Sequence, residues 1–175
     1  MTSSKKRLAV VDDDQALREE LSKFFADTFE VDAYPGEPGT LKQLRERPPD
    51  VLLTEVAMER IDGFDILRLM STTPELRAAP VVVLSSLSDF PTFEKAHRLG
   101  ATEFVTKPFR PEELRAKIDV VLAARRQRGV GRLKLGALLV ASGLVTQEQL
   151  DQALTRQKGM GARLGEVLVR DGLVA

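Results

Sequence analysis

Short, wholly apolar runs recur through the first two thirds of the chain, and between them apolar positions return every three or four residues. Leu8-Ala9-Val10-Val11, Val51-Leu52-Leu53 and Val81-Val82-Val83-Leu84 contain no polar side chain, the pattern of strands buried on both faces. Phe29–Tyr34 and Thr102–Thr106 are shorter strand candidates. Ala16, Leu17, Leu21 and Phe24 follow Asp14 at helical spacing, with Asp14 placed as the N-cap. Helices are also predicted over 39–46, 64–71, 91–99 and 111–127, the last opened by Pro111-Glu112-Glu113. Five strands alternating with five helices predict an α/β fold, a five-stranded doubly wound parallel sheet whose site lies at the carboxyl ends of the strands. Those ends carry Asp12-Asp13, Glu55, Ser85 and Lys107-Pro108.

Beyond residue 124 the strand pattern stops. Arg125, Arg126, Arg128 and Arg132, interleaved with glycine, read as a basic linker over 125–132, and a small all-α segment is expected over 133–175. Charge follows the same division. Residues 1–124 hold 17 Lys and Arg against 22 Asp and Glu, and residues 125–175 hold nine against four. The acidic part suits a cation site and the basic part an anionic ligand. There is no cysteine, so disulfides and thiolate metal sites are excluded. The N-terminus carries no run long enough for a signal sequence and no segment has membrane-spanning length, so a cytoplasmic location is expected.

Asp12, Asp13 and Glu55 gathered against one lysine would have to shift a pKa or recruit a divalent cation. Oxygen donors open to solvent suit Mg²⁺, and Lys107 with the Ser85 hydroxyl could hold phosphoryl oxygens. The chain from residue 5 to 124 resembles the CheY-like receiver domains of two-component signalling. The resemblance rests on Val11-Asp12-Asp13, on Pro49-Asp50-Val51-Leu52-Leu53-Thr54-Glu55, and on Met58, Asp62-Gly63, Ser85 and Phe104-Val105-Thr106-Lys107-Pro108, all in the family's order. It implies a flavodoxin-like fold and a metal site from Asp12, Asp13, Glu55 and the carbonyl of Ala57. It further implies a switch formed by Ser85, Phe104 and Lys107, and a cis bond before Pro108. Receivers accept phosphate on aspartate, and Glu55 stands at that position; Glu59 replaces the usual proline after the methionine. One added methylene carries the carboxylate about 1.5 Å further, and a 1 Å misplacement can cost about 10²-fold in rate. Glu55 is therefore expected to accept phosphate poorly and to imitate the phosphorylated state in part. Two accounts stay open: a naturally phosphorylation-independent receiver, or a conventional one whose aspartate has been replaced.

The basic part contains an internal repeat. Leu135-Gly136, Leu139 and Gly143 recur as Leu164-Gly165, Leu168 and Gly172 at a constant offset of 29. Each unit reads as two short helices joined by a turn, with Gly143 left-handed at the turn and Thr146 and Gln149 as a capping box. Leu150 and Leu154 are assigned to the inner face. Gly136 and Gly165, near helix starts, admit close approach of a backbone or a ligand. The spacing is similar to the MshEN-type domains of type IV pilus and type II secretion ATPases. That resemblance implies cyclic di-GMP binding through Lys134, Leu135, Gly136, Gly143, Arg163, Leu164 and Gly165, at a site left partial because residue 175 is reached before a fourth helix.

Plainer readings compete. The acids at 12–14 could be a solvated loop, the Leu-Gly repeat a packing module, and Phe104 simple core. His97, on a helix, reads as a surface residue. No helix-turn-helix follows the arginines, so no DNA partner is expected. The whole reads as a signalling adaptor rather than an enzyme. Its expected partners are a histidine kinase or another signalling protein, with pilus or secretion machinery and a cyclic dinucleotide as further candidates.

Overall fold

A computed structural model describes residues 5–87, 89–127, 135–160 and 163–174. Five parallel strands, β1 (Lys6–Val11), β2 (Phe29–Tyr34), β3 (Val51–Thr54), β4 (Val81–Ser85) and β5 (Glu103–Thr106), form one sheet in the order β2-β1-β3-β4-β5. The connecting helices are α1 (Gln15–Phe25), α2 (Thr40–Glu46), α3 (Gly63–Thr72), α4 (Phe90–Leu99) and α5 (Pro111–Gln127). The reversal of strand order between β1 and β3 places a crevice at their carboxyl ends.

The apolar runs work as two interleaved faces. Leu8, Val10, Leu53, Val82 and Leu84 turn toward Leu21 and Phe25 of α1 and Leu114 and Ile118 of α5. Ala9, Val11, Leu52, Val81 and Val83 turn the other way, onto Ile66, Leu67 and Met70 of α3 and Phe93 and Ala96 of α4. The runs 8–11, 51–53 and 81–84 of β1, β3 and β4 are wholly apolar because alternate residues serve different helical layers. Asp14 caps α1 by accepting the Leu17 N–H at 3.2 Å, as expected.

The second unit comprises α6 (Leu135–Ala141), α7 (Gln147–Met160) and α8 (Leu164–Arg170). Gly143 and Gly172 occupy matching left-handed turns, with φ of 76° and 67°, so the repeat seen in the letters is a repeat of backbone. Thr146 and Gln149 form the expected reciprocal cap at 3.2 and 2.7 Å. The inner face of α7 differs from expectation. Leu150 is buried but Leu154 is exposed, and Ala153 takes the inward place because it faces the buried side at i+3. Helix α5 continues through Gln127, and the rest of the expected linker, 128–132, lies outside the described residues.

This unit packs onto the sheet domain. Leu138, Leu139, Leu150, Val167 and Leu168 join the same apolar cluster as α3 and α4. Helix α6 lies against α4 and β5, and Lys117 of α5 donates to the Ala141 carbonyl at 3.3 Å.

Gly63 opens α3 directly against the end of β3. A Cβ there would stand 2.1 Å from the Glu55 carbonyl oxygen and 2.5 Å from the Val56 Cα, and backbone cannot yield. Gly63→Ala is expected to destabilise the fold by more than about 2 kcal/mol, read as a lowered urea midpoint at unchanged slope.

Candidate functional site

Three strand ends build the site. Asp12 follows β1 and is fully buried; Glu55 follows β3 and is buried; Lys107 follows β5. The Lys107 ammonium lies 2.6 Å from Asp12 Oδ2 and 3.1 Å from Glu55 Oε2, so one cation compensates two buried carboxylates. Burial pushes the Lys107 pKa down, but its hydrogen bond and attraction to Asp12, followed by those to Glu55, outweigh that and hold it above the ordinary lysine value.

The remaining oxygens are occupied by backbone. Glu55 Oε1 accepts the N–H groups of Val56 at 2.7 Å and Ala57 at 3.1 Å, folding the carboxylate onto the head of its own loop. Asp12 Oδ1 accepts the Asp14 N–H at 2.9 Å. Asp13, solvent-exposed, accepts the Glu59 N–H on Oδ2 at 3.0 Å. Ser85 is buried at the end of β4; its hydroxyl oxygen accepts the Leu87 N–H at 3.1 Å and its carbonyl accepts the Lys107 N–H at 2.9 Å. The Lys107–Pro108 bond is cis. Two backbone N–H groups and an ammonium thus surround a small volume suited to anionic oxygens, and the Glu55 carboxylate fills it.

Asp12, Asp13, Glu55, Ala57, Ser85 and Lys107 therefore share one rim. Phe104 does not. Its ring is buried on the helical side, with its centroid 4.4 Å from that of Phe93 in α4. His97 is half-buried rather than a surface residue, because α4 is enclosed from more than one side. Of the residues assigned to a dinucleotide, Lys134 lies outside the described residues. Gly136 and Gly165 do admit close approach, but of side chains from this chain. An added Cβ would meet Leu150 Cδ1 at 2.8 Å from Gly136, and the Phe90 ring at 2.6 Å from Gly165. The Phe90–Gly165 contact was invisible in the sequence, since neither residue carries a pairing signal.

A doubly wound sheet with acids after β1 and β3 and a lysine after β5 at one rim defines the class, a flavodoxin-like α/β domain with its site at the topological switch point. Residues 8–119 match the response regulator receiver domain, and the chain belongs to that family. It is 41% identical over 131 residues to a protein-glutamate methylesterase/protein-glutamine glutaminase of Anaeromyxobacter dehalogenans, covering 69% of this chain and 36% of that protein. Over 176 residues it is 30% identical to the transcriptional regulatory protein AfsQ1 of Streptomyces coelicolor, covering 95% and 76%. The response regulator DrrB of Thermotoga maritima superposes with a TM-score of 0.61 at 28% identity, covering 71% of this chain and 55% of that one. The chain spans about half the length of one curated relative it matches and about a third of another.

Receiver domains bind Mg²⁺ at the phosphorylation site. The donors here are oxygens, the right kind for that ion, but Lys107 and backbone N–H groups already engage the Asp12 and Glu55 oxygens that would face it. Among the described residues no three carboxylate, histidine or cysteine side chains converge on one point. Asp12 and Glu55 instead share Lys107.

Removing that cation leaves two buried carboxylates facing each other. Lys107→Met is expected to cost about 3 kcal/mol at neutral pH, measured by urea unfolding. With the folded pKa raised above the unfolded one, the contribution is complete below the unfolded lysine value, about 10.4. It fades as pH rises through the folded value, so the two stability curves should converge at strongly alkaline pH. Gly165→Leu would expel Phe90 from its seat. Hydrogen exchange should then rise across residues 163–174 while β1 and β3 keep their protection.

Proposed function

We propose that this chain is a two-component-type signalling adaptor whose receiver domain works without phosphorylation, in a state set by Glu55. The observation that carries this reading is the seating of the Glu55 carboxylate on the Val56 and Ala57 N–H groups and on Lys107. A carboxylate so held has both oxygens engaged and is a poor nucleophile. It also presents negative charge where a phosphoryl group on a shorter side chain would present it. The imitation is partial, since a carboxylate has two acceptor oxygens and a phosphoryl group three.

Output in this reading runs through Ser85, Phe104 and α4 to the helices of residues 133–175. Phe104 lies against Phe93, and Phe90 of the same helix lies against Gly165. The partners are signalling proteins, a histidine kinase or a component of pilus or secretion machinery among them, and the chain turns over no substrate. The names of two relatives state a methylesterase activity and transcriptional regulation; to α6, α7 and α8, the helices described after the receiver here, we assign a docking role.

Cyclic di-GMP binding at the Leu-Gly helices is a second reading, favoured by the matching left-handed turns at Gly143 and Gly172. A ligand approaching Gly136 and Gly165 would have to displace Leu150 and Phe90. Calorimetric titration with cyclic di-GMP is expected to give no heat of binding at micromolar concentrations, and saturable binding would revive that reading.

The leading reading is tested with acetyl phosphate and Mg²⁺. The chain should gain no phosphate adduct by intact mass, and exchange protection across 163–174 should not change. A Glu55→Asp protein that is phosphorylated readily, and whose 163–174 protection then changes, would mark a conventional regulator in which aspartate had been replaced.

A further inference from the structure

Glu59 stands where the receiver pattern has proline. Its main chain nevertheless reaches the acidic site. We infer that the loop from Glu55 to Glu59 closes that site against divalent cations, with the Glu59 N–H and the Lys107 ammonium engaging the acids that would otherwise ligate a metal. This rests on the reading of Asp12, Asp13 and Glu55 as the receiver's acidic site, and it adds a backbone donor as the element that withholds Asp13.

Three tethers fix the loop. The Glu59 N–H donates to Asp13 Oδ2 at 3.0 Å. Arg60 Nη1 lies 2.7 Å from Glu37 Oε1, on the segment between β2 and α2. Met58 is laid against Gly36, where an added Cβ would stand 2.5 Å from its sulfur, so the segment passes underneath only because it is bare there. At its other end the loop is anchored by the Gly63 N–H donating to the Val56 carbonyl at 3.1 Å. The Glu59 N–H is thus presented to Asp13 by a clamped segment, and Asp13 gives up one carboxylate oxygen to it.

The electrostatic logic is substitution. Clustered carboxylates need positive charge or donated hydrogens, and Mg²⁺ supplies that only by taking their oxygens at near-octahedral positions while keeping several waters. Here Asp12 is satisfied by Lys107 and the Asp14 N–H, Glu55 by Lys107 and two N–H groups, and Asp13 by Glu59. A cation entering the site competes with these donors for the same carboxylate oxygens. The donor at 59 is the most accessible of them and belongs to the main chain, so it depends on any residue other than proline at that position.

The test compares Glu59→Pro, which deletes the N–H, with Glu59→Ala, which keeps it and deletes only the carboxylate. Mn²⁺ and Mg²⁺ are titrated calorimetrically into the full chain and both variants, with circular dichroism confirming the fold. The chain and Glu59→Ala should bind equally weakly, in the millimolar range or above. Glu59→Pro should bind about tenfold more tightly, the factor one net hydrogen bond supplies. Equal tightening in Glu59→Ala would assign the effect to the carboxylate and overturn the proposal, as would Glu59→Pro binding no more tightly than the parent. Should Glu59→Pro not fold, the Glu59 amide itself decides by NMR: slow exchange that persists in millimolar Mg²⁺ supports the closure, and fast exchange ends it. Glu55→Asp titrated in parallel separates the levels. Tight Mg²⁺ binding by that variant alone, with Glu59→Pro inert, would keep the receiver reading and discard the loop.

Discussion

One ammonium group between two buried carboxylates holds the site together. Lys107 can reach Asp12 and Glu55 only if the ends of β1, β3 and β5 lie on one rim, and that requires parallel strands in the order observed. The sheet brings residues 12, 55 and 107 to one point, and the charge balance at that point in turn disfavours any register that would separate them. A slip of one residue in β3 would turn Leu52 and Leu53 to the wrong layers and carry Glu55 away from the cation. Fold and site are thus constrained by the same residues.

β1, β3 and β4 were legible because each holds a wholly apolar run, as a doubly covered sheet requires, whereas β2 and β5, carrying Glu30, Asp32 and Glu103, showed only as shorter candidates. The helices were legible from their caps and spacing, and the rim residues from the chemistry at strand ends. The Leu-Gly repeat was legible as a repeat. What it packs against was not: a glycine admits a neighbour without specifying one, and Phe90 reads as any core aromatic. The choice of Ala153 over Leu154 on the inner face of α7 turns on where α6 and α8 lie, which spacing within α7 does not carry. The bond from Glu59 to Asp13 was equally hidden, because a backbone N–H is common to every residue but proline. The off-pattern identity at 59 was its only trace.

Glu55 and Glu59 appear in the sequence as separate departures from the receiver pattern. In the structure they lie at the two ends of one clamped loop. Glu55 contributes a side chain that fills an anion cradle, and residue 59 contributes a main-chain donor to the neighbouring acid. Lys107 and backbone N–H groups from the same chain engage all three acids, and the resting arrangement is correspondingly stiff.

The packing of α6 beside β5 bears on how the molecule meets copies of itself. A parallel sheet ends in two rows of unpaired backbone groups, each a template for a foreign strand. On the β5 side a helix stands close by. On the β2 side Glu30 and Asp32 alternate outward and are tied to Arg47 at 2.7 and 3.3 Å, a charged border that a hydrophobic strand would have to desolvate. Were α6 to swing away, β5 would be the less defended of the two borders.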